Sequence, residues 1–169
     1  MKKLSGRAIV FLGIGSNAGN RAQKISAAIR EITARWPLLR ASSLYLTSPI
    51  GPRQRDFLNA VVSVTASGLP GDMLCALKAI ERKLGRRSAG VQRWGPRTID
   101  IDILLWGKRI LRTPALVIPH PEMLRRRFVL EPLAEIAPHR VHPVAKKSMT
   151  CLRDELRERR HNQKVKKYE

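Results

Sequence analysis

RWGPRTIDIDILL, residues 93–105, is the stretch on which the fold turns. Asp100 and Asp102 alternate with Ile99, Ile101 and Ile103, and in a β-strand that alternation gives one charged face and one apolar face. The apolar run continues through Leu104, Leu105 and Trp106, so the segment reads as a central strand with its isoleucine side in the core. Carboxylates at such a position need a partner. Same-face neighbours lie roughly 6.5–7 Å apart along a strand, which lets two carboxylates hold a pair of divalent cations about 3.5–4 Å from one another, as in two-metal phosphoryl-transfer sites. Mg²⁺ is the natural occupant. Upstream, Arg82, Lys83, Arg86, Arg87, Arg93 and Arg97 form a cationic run with no acid among them, punctuated by Gly85, Gly90 and Gly95. Alone, either the acid pair or the basic run reads as a solvated face. Side by side, they suit a polyphosphate bound between metal and guanidinium groups.

Outward from this stretch, residues 7–14 read as a strand buried on both faces. GSNAGN follows, with Asn17 or Asn20 placed to cap a helix that runs to about Arg35 and carries Ile25, Ala28, Ile29 and Ile32 on one face. Residues 41–47 alternate as a half-buried strand, and SPIGPRQRD is too long for a tight hairpin, which makes it a candidate binding loop. The strand FLNAVVSVTA, residues 57–66, puts Phe57 and Asn59 on the face opposite Leu58, Ala60, Val62 and Val64. A ring beside an amide suits a flat heterocycle, since one can stack and the other can bond the polar edge. Pro70 and Gly85 bracket a second helix whose buried stripe is Met73, Leu77, Ile80 and Leu84. The order strand, helix, strand, strand, helix, strand predicts an α+β ferredoxin-like sandwich, with an antiparallel sheet, both helices on one face and the site on the free face. LRRRFVLEPLAEIAP predicts one or two short helices of a C-terminal extension, and NQKVKKYE is expected to fray.

The chain has 169 residues, of which 43% are hydrophobic, enough for one domain with its own core. Residues 1–143 are expected to form that domain, with 144–169 a basic tail that either belongs to it or frays. Cys75 and Cys151 lack metal-binding or redox spacing, so the expectation is a reducing cytoplasm and inert thiols. The apolar run after the basic start is interrupted by Gly13 and Gly15, and no segment is long enough to span a membrane. A net charge of +20 favours anionic partners. Part of that excess lies in residues 140–169, with ten Lys/Arg against four Asp/Glu, and aromatics are only 5%, thin for base stacking. A nucleic-acid module of the same topology would explain the charge but not Asp100 and Asp102, which repel phosphate without metal. An inactive structural relative should have lost a metal ligand or a ring, and neither is missing.

LGIGSNAGNR, TSPIGPRQRDFLNAVV, RWGPRTIDIDILLWG and IPHPEMLRRRFVLEPLAEIAP occur in this order over most of residues 9–138. Together they closely resemble the 6-hydroxymethyl-7,8-dihydropterin pyrophosphokinases of folate biosynthesis. The resemblance implies transfer of the ATP β,γ-diphosphate to the pterin hydroxymethyl group with release of AMP. By motif it implies two Mg²⁺ on Asp100 and Asp102, catalytic roles for Arg86, Arg93 and Arg97, and ATP contacts from Glu81, Trp94, Arg97, His120 and Arg126. It also implies pterin held by Phe57 and Phe128, with Asn59 at its edge and Thr47, Ser48 and Ile50 shaping the pocket. The expected partners are these two small molecules, with no obligate nucleic acid or membrane and a monomeric chain. Ser88 stands where many members carry a second loop arginine, with Arg87 beside it.

Overall fold

A computed structural model describes residues 6–51, 53–86, 96–159 and 163–169. Arg87, Ser88, Arg93 and Trp94 lie outside them. In chain order the elements are β1 (Ala8–Ser16), α1 (Arg21–Thr33), β2 (Leu38–Ala41), β3 (Tyr45–Thr47), β4 (Phe57–Ala66), α2 (Pro70–Lys83) and β5 (Asp100–Trp106). There follow a short pair, β6 (Leu111–Arg112) and β7 (Val117–Ile118), a 3₁₀ turn at Met123–Arg125, α3 (Arg127–Ile136), α4 (Met149–Glu158) and β8 (Val165–Lys167).

The main sheet runs β5-β1-β4-β3-β8, with β2 also pairing β4. Every pairing in it is antiparallel. Its first four strands have the order expected of the βαββαβ sandwich. Asn20, not Asn17, caps α1, its side chain accepting the Gln23 N–H at 3.1 Å. Val10, Leu12 and Ile14 of β1, the even-numbered residues of β4, and Ile101 and Ile103 of β5 form one apolar face. It packs on Ile25, Ala28 and Ile32 of α1 and on Met73, Leu77 and Ile80 of α2.

The opposite face is not free along its whole length. Phe11, Val61, Leu104 and Leu105 meet Val129, Leu130 and Leu133 of α3, and Leu152 and Leu156 of α4, in a second core. Burial of a leucine contributes about 2 kcal/mol, and α3 has no side-chain cap at its N-terminus. Packing therefore holds α3 in place, and among the described residues the C-terminal helical layer leaves the Asp100 end of this face open.

Two expectations change. Residues 41–47 are not one strand: Ser42 breaks the ladder, its Oγ accepting the Val61 N–H at 3.0 Å and donating to the Ser43 carbonyl at 2.8 Å. Residues 163–169 do not hang loose, because Val165, Lys166 and Lys167 pair with Thr47, Leu46 and Tyr45 and extend the sheet edge.

Candidate active site

The open end of the second face is a cleft lined by Gly15, Phe57, Asn59, Asp100, Asp102 and Phe128. Strand register builds its floor. Gly15 of β1 pairs with Asn59 on one side and Asp100 on the other, and Gly13 pairs with Val61 and Asp102. Two carboxylates, two glycines and an amide thus share one face across three strands. Gly15 is required there by space: a Cβ on it would lie 2.7 Å from Asn59 Oδ1. Asn59 is 5% exposed and donates from Nδ2 to Thr47 Oγ1 at 2.7 Å, which fixes its amide across β3 and β4.

The walls carry the other expected groups. Phe57 begins β4 and Phe128 lies in the first turn of α3, so the two rings come from the sheet and the helical layer; both line the cleft with Thr47, Ser48, Ile50 and Arg126. The Arg126 guanidinium carbon sits 5.6 Å from the Phe128 ring centroid, within cation–π range. His120 follows β7, held by its N–H to the Leu104 carbonyl at 2.9 Å. Its Nδ1 accepts the Glu122 N–H at 3.2 Å, so a neutral ring carries its proton on Nε2, 3.9 Å from Asp102 Oδ2. Burial lowers the His120 pKa against the pull of Asp102.

The two aspartates are electrostatically unlike. Arg86 Nη1 meets Asp100 Oδ1 at 2.5 Å and Arg97 Nη1 donates to Asp100 Oδ2. Burial works to raise the Asp100 pKa, but Arg97 and Arg86 overcome it and hold the carboxyl below its ordinary range. Asp102 opens to the cleft, with 38% of its side chain exposed, and among the described residues no guanidinium lies at bonding distance from it. Lost hydration and then the charge of Asp100 raise its pKa. A cation at this pair would relieve both effects. Among the described residues no group of three or more His, Cys, Asp or Glu side chains converges on one point. The donor set fits Mg²⁺, which is commonly bound through one or two carboxylates with substrate phosphates and water completing its shell.

Glu81 does not line the cleft. It is 2% exposed, and its Oε1 accepts the Ile101 N–H at 2.7 Å while pairing with Arg86 at 2.7 Å and Lys78 at 3.0 Å. Burial pushes its pKa up against those partners. Its reach into the site runs through Arg86 and through the backbone between the two aspartates.

Asn17 and Gln163 were not singled out as site residues from the sequence. Asn17 reads as a helix cap, yet its side chain joins three segments. Its Oδ1 accepts the Arg97 N–H at 2.7 Å, and its Nδ2 donates to Gln54 Oε1 at 2.8 Å and to the Arg55 carbonyl at 3.2 Å. The binding loop before β4 and the segment before β5 are thereby tied to the end of β1. A buried asparagine just after a strand was the available signal. Gln163 has no local signal, since it reaches the cleft only through long-range pairing of β8.

A sequence profile of the 7,8-dihydro-6-hydroxymethylpterin-pyrophosphokinase family matches residues 11–138. Several proteins named 2-amino-4-hydroxy-6-hydroxymethyldihydropteridine pyrophosphokinase are similar. The one from Aquifex aeolicus is 38% identical over 143 residues, 84% of this chain and 88% of that protein. Those from Synechocystis and Pseudomonas aeruginosa are 40% and 43% identical, over 86% and 76% of this chain and 74% and 80% of theirs. Among solved structures, wild-type Plasmodium falciparum HPPK-DHPS with pteroate superposes over 94% of this chain at a TM-score of 0.75 and 17% identity, a likeness of fold. This chain spans less than half (44%) of that longer one. By profile and by relatives alike, the chain belongs to the 7,8-dihydro-6-hydroxymethylpterin-pyrophosphokinase family.

Proposed function

We infer that this chain transfers diphosphate from ATP to the hydroxymethyl group of 6-hydroxymethyl-7,8-dihydropterin, a step of folate biosynthesis, and that the cleft described above is where it does so. The observation that carries the placement is the shared row Asp100–Gly15–Asn59, which sets a phosphate-side carboxylate and a heterocycle-side amide on one floor. The pterin lies between Phe57 and Phe128, its polar edge on Asn59 and its surround formed by Thr47, Ser48 and Ile50. ATP lies across Asp100 and Asp102 toward Arg97, His120 and Arg126, and Glu81 serves that side by holding Arg86.

The substrate hydroxyl attacks the β-phosphorus. One O–P bond forms, the bond from the β-phosphorus to the bridging α-phosphate oxygen breaks, AMP leaves, and the hydroxyl proton passes to solvent. No protein nucleophile is needed, so the side chains act by positioning and by charge. Asp100 and Asp102 would hold two Mg²⁺, which when bound supply charge neutralisation and Lewis acidity. Arg86 and Arg97, which hold Asp100, would offer their guanidinium groups to phosphate oxygens and stabilise charge on the departing AMP. Asn17 holds the Arg97 backbone in register for this. Arg93 and Trp94 are assigned to the same nucleotide side on their motif alone.

The test is AMP release from ATP with and without the pterin, in Mg²⁺ and then in EDTA. AMP should form in equal amount with the pterin diphosphate and only when pterin and metal are both present. Release of ADP, or AMP formation indifferent to pterin, would contradict the assignment.

A further inference from the structure

The last residues of the chain lie beyond the region matched by the family profile, and they close one side of the cleft. Gln163 is 6% exposed and lines it. Its amide bonds both walls at once: Nε2 donates to the Ser48 carbonyl at 3.3 Å and Oε1 accepts the Phe128 N–H at 3.4 Å. Ser48 belongs to the loop after β3, and Phe128 to the first turn of α3.

The backbone around Gln163 is itself anchored. Arg127 Nη1 donates to the Gln163 carbonyl at 3.2 Å, and Arg127 is held by Glu131, which Arg157 of α4 also grips. The Lys164 N–H donates to Ser48 Oγ at 3.0 Å, and the Ser48 N–H donates to the Lys164 carbonyl at 3.0 Å. Gln163 thus spans a fixed distance rather than following one wall. A long polar side chain with little solvent exposure persists only where both ends of its amide are satisfied. Here the two ends are satisfied by the two sides of one pocket.

We propose that Gln163 is a positioning residue for the pterin: by tying the Ser48 carbonyl to the Phe128 amide it sets the gap between the loop wall and the ring wall. The inference rests on the reading of this cleft as the pterin pocket. Gln163 acts through Ser48 and Phe128, so its effect belongs to heterocycle binding; among the described residues none of its bonds leads to the nucleotide side.

The experiment compares Gln163→Ala and Gln163→Met with the wild-type chain, measuring KM for each substrate, kcat and the thermal midpoint. Methionine restores most of the side-chain volume but supplies no amide, which separates a spacer from a bridge. The proposal expects both variants to raise KM for the pterin by roughly three- to tenfold, the worth of one or two hydrogen bonds. KM for ATP and kcat should stay within about twofold of wild type. Recovery of wild-type pterin KM in the Met variant, an equal rise in KM for ATP, or no change in either variant would overturn it. Loss of a cooperative thermal transition in the Met variant would assign Gln163 to folding and overturn it too. A wild-type chain showing no pterin-dependent AMP release would instead fail the reading of the cleft and remove the proposal's basis.

Discussion

Gly15 faces Asn59 across the β1–β4 pairing. A Cβ at 2.7 Å from Asn59 Oδ1 forces a shift, and the amide is pinned by Thr47 and cannot simply swing away. Gly15→Ala should therefore raise KM for the pterin about tenfold or more, the cost of a misplaced buried amide. ATP affinity should be far less affected. Steady-state kinetics in both substrates check this, and a matched loss on the ATP side would show that the floor as a whole had moved. Asp100, Asp102, Phe57 and Asn59 could be singled out from the sequence because their chemistry and a period of two sit in one segment each, whereas the place of Gly15 exists only across strand pairing. Asn17 was offered with Asn20 as the cap of α1, which Asn20 provides, and only tertiary contact with Arg97, Gln54 and Arg55 reveals the other use of Asn17.

Elements were read well where their signal was periodic and poorly where side chains compete with backbone. α1, α2, β4 and β5 followed from stripes and alternation, with Pro70 and Gly85 marking the ends of α2. The break at Ser42 and the addition of β8 to the sheet edge carry no comparable period. The C-terminal layer was visible as helices but not as a cover on the site face, since that depends on Phe11, Val61 and Leu104 packing against α3 and α4. Glu131 holds this layer together. It is 5% exposed and bonds Arg127 on its own helix and Arg157 on α4. Burial acts to raise its pKa, but Arg157 and Arg127 prevail and hold it below the ordinary carboxylate range. A depressed folded-state pKa means stabilisation that is fully present above about pH 4.3 and is lost as the pH falls through the folded value. Glu131→Gln should cost about 2 kcal/mol at pH 7, a drop of roughly 4–8 °C in thermal midpoint. The gap should narrow in acid below about pH 4.3; thermal scans from pH 7 to pH 3 measure it, and a gap independent of pH would assign the effect to packing.

At the scale of the whole molecule, charge announced anionic partners without locating them. A net +20 is compatible with nucleic acid as readily as with nucleotide phosphate. The alternation of residues 99–103 chose between them, because acids facing a basic run make sense with metal and phosphate. The fold then converges the pieces. The sheet brings Asp100, Gly15 and Asn59 into one row, α3 supplies the facing ring, Asn17 and Glu81 brace Arg97 and Arg86, and Gln163 ties Ser48 to Phe128 at the other end of the cleft. Among the described residues no helix is long and apolar enough to cross a membrane, and Cys75 and Cys151 are free and exposed. The most direct test of the central claim is pterin-dependent AMP release in Mg²⁺ by wild type, Asp100→Ala and Asp102→Ala, each confirmed as folded. Wild type should turn over, and both variants should lose nearly all activity. Substantial turnover in either folded variant would contradict the assignment of this carboxylate pair as the metal site of diphosphate transfer.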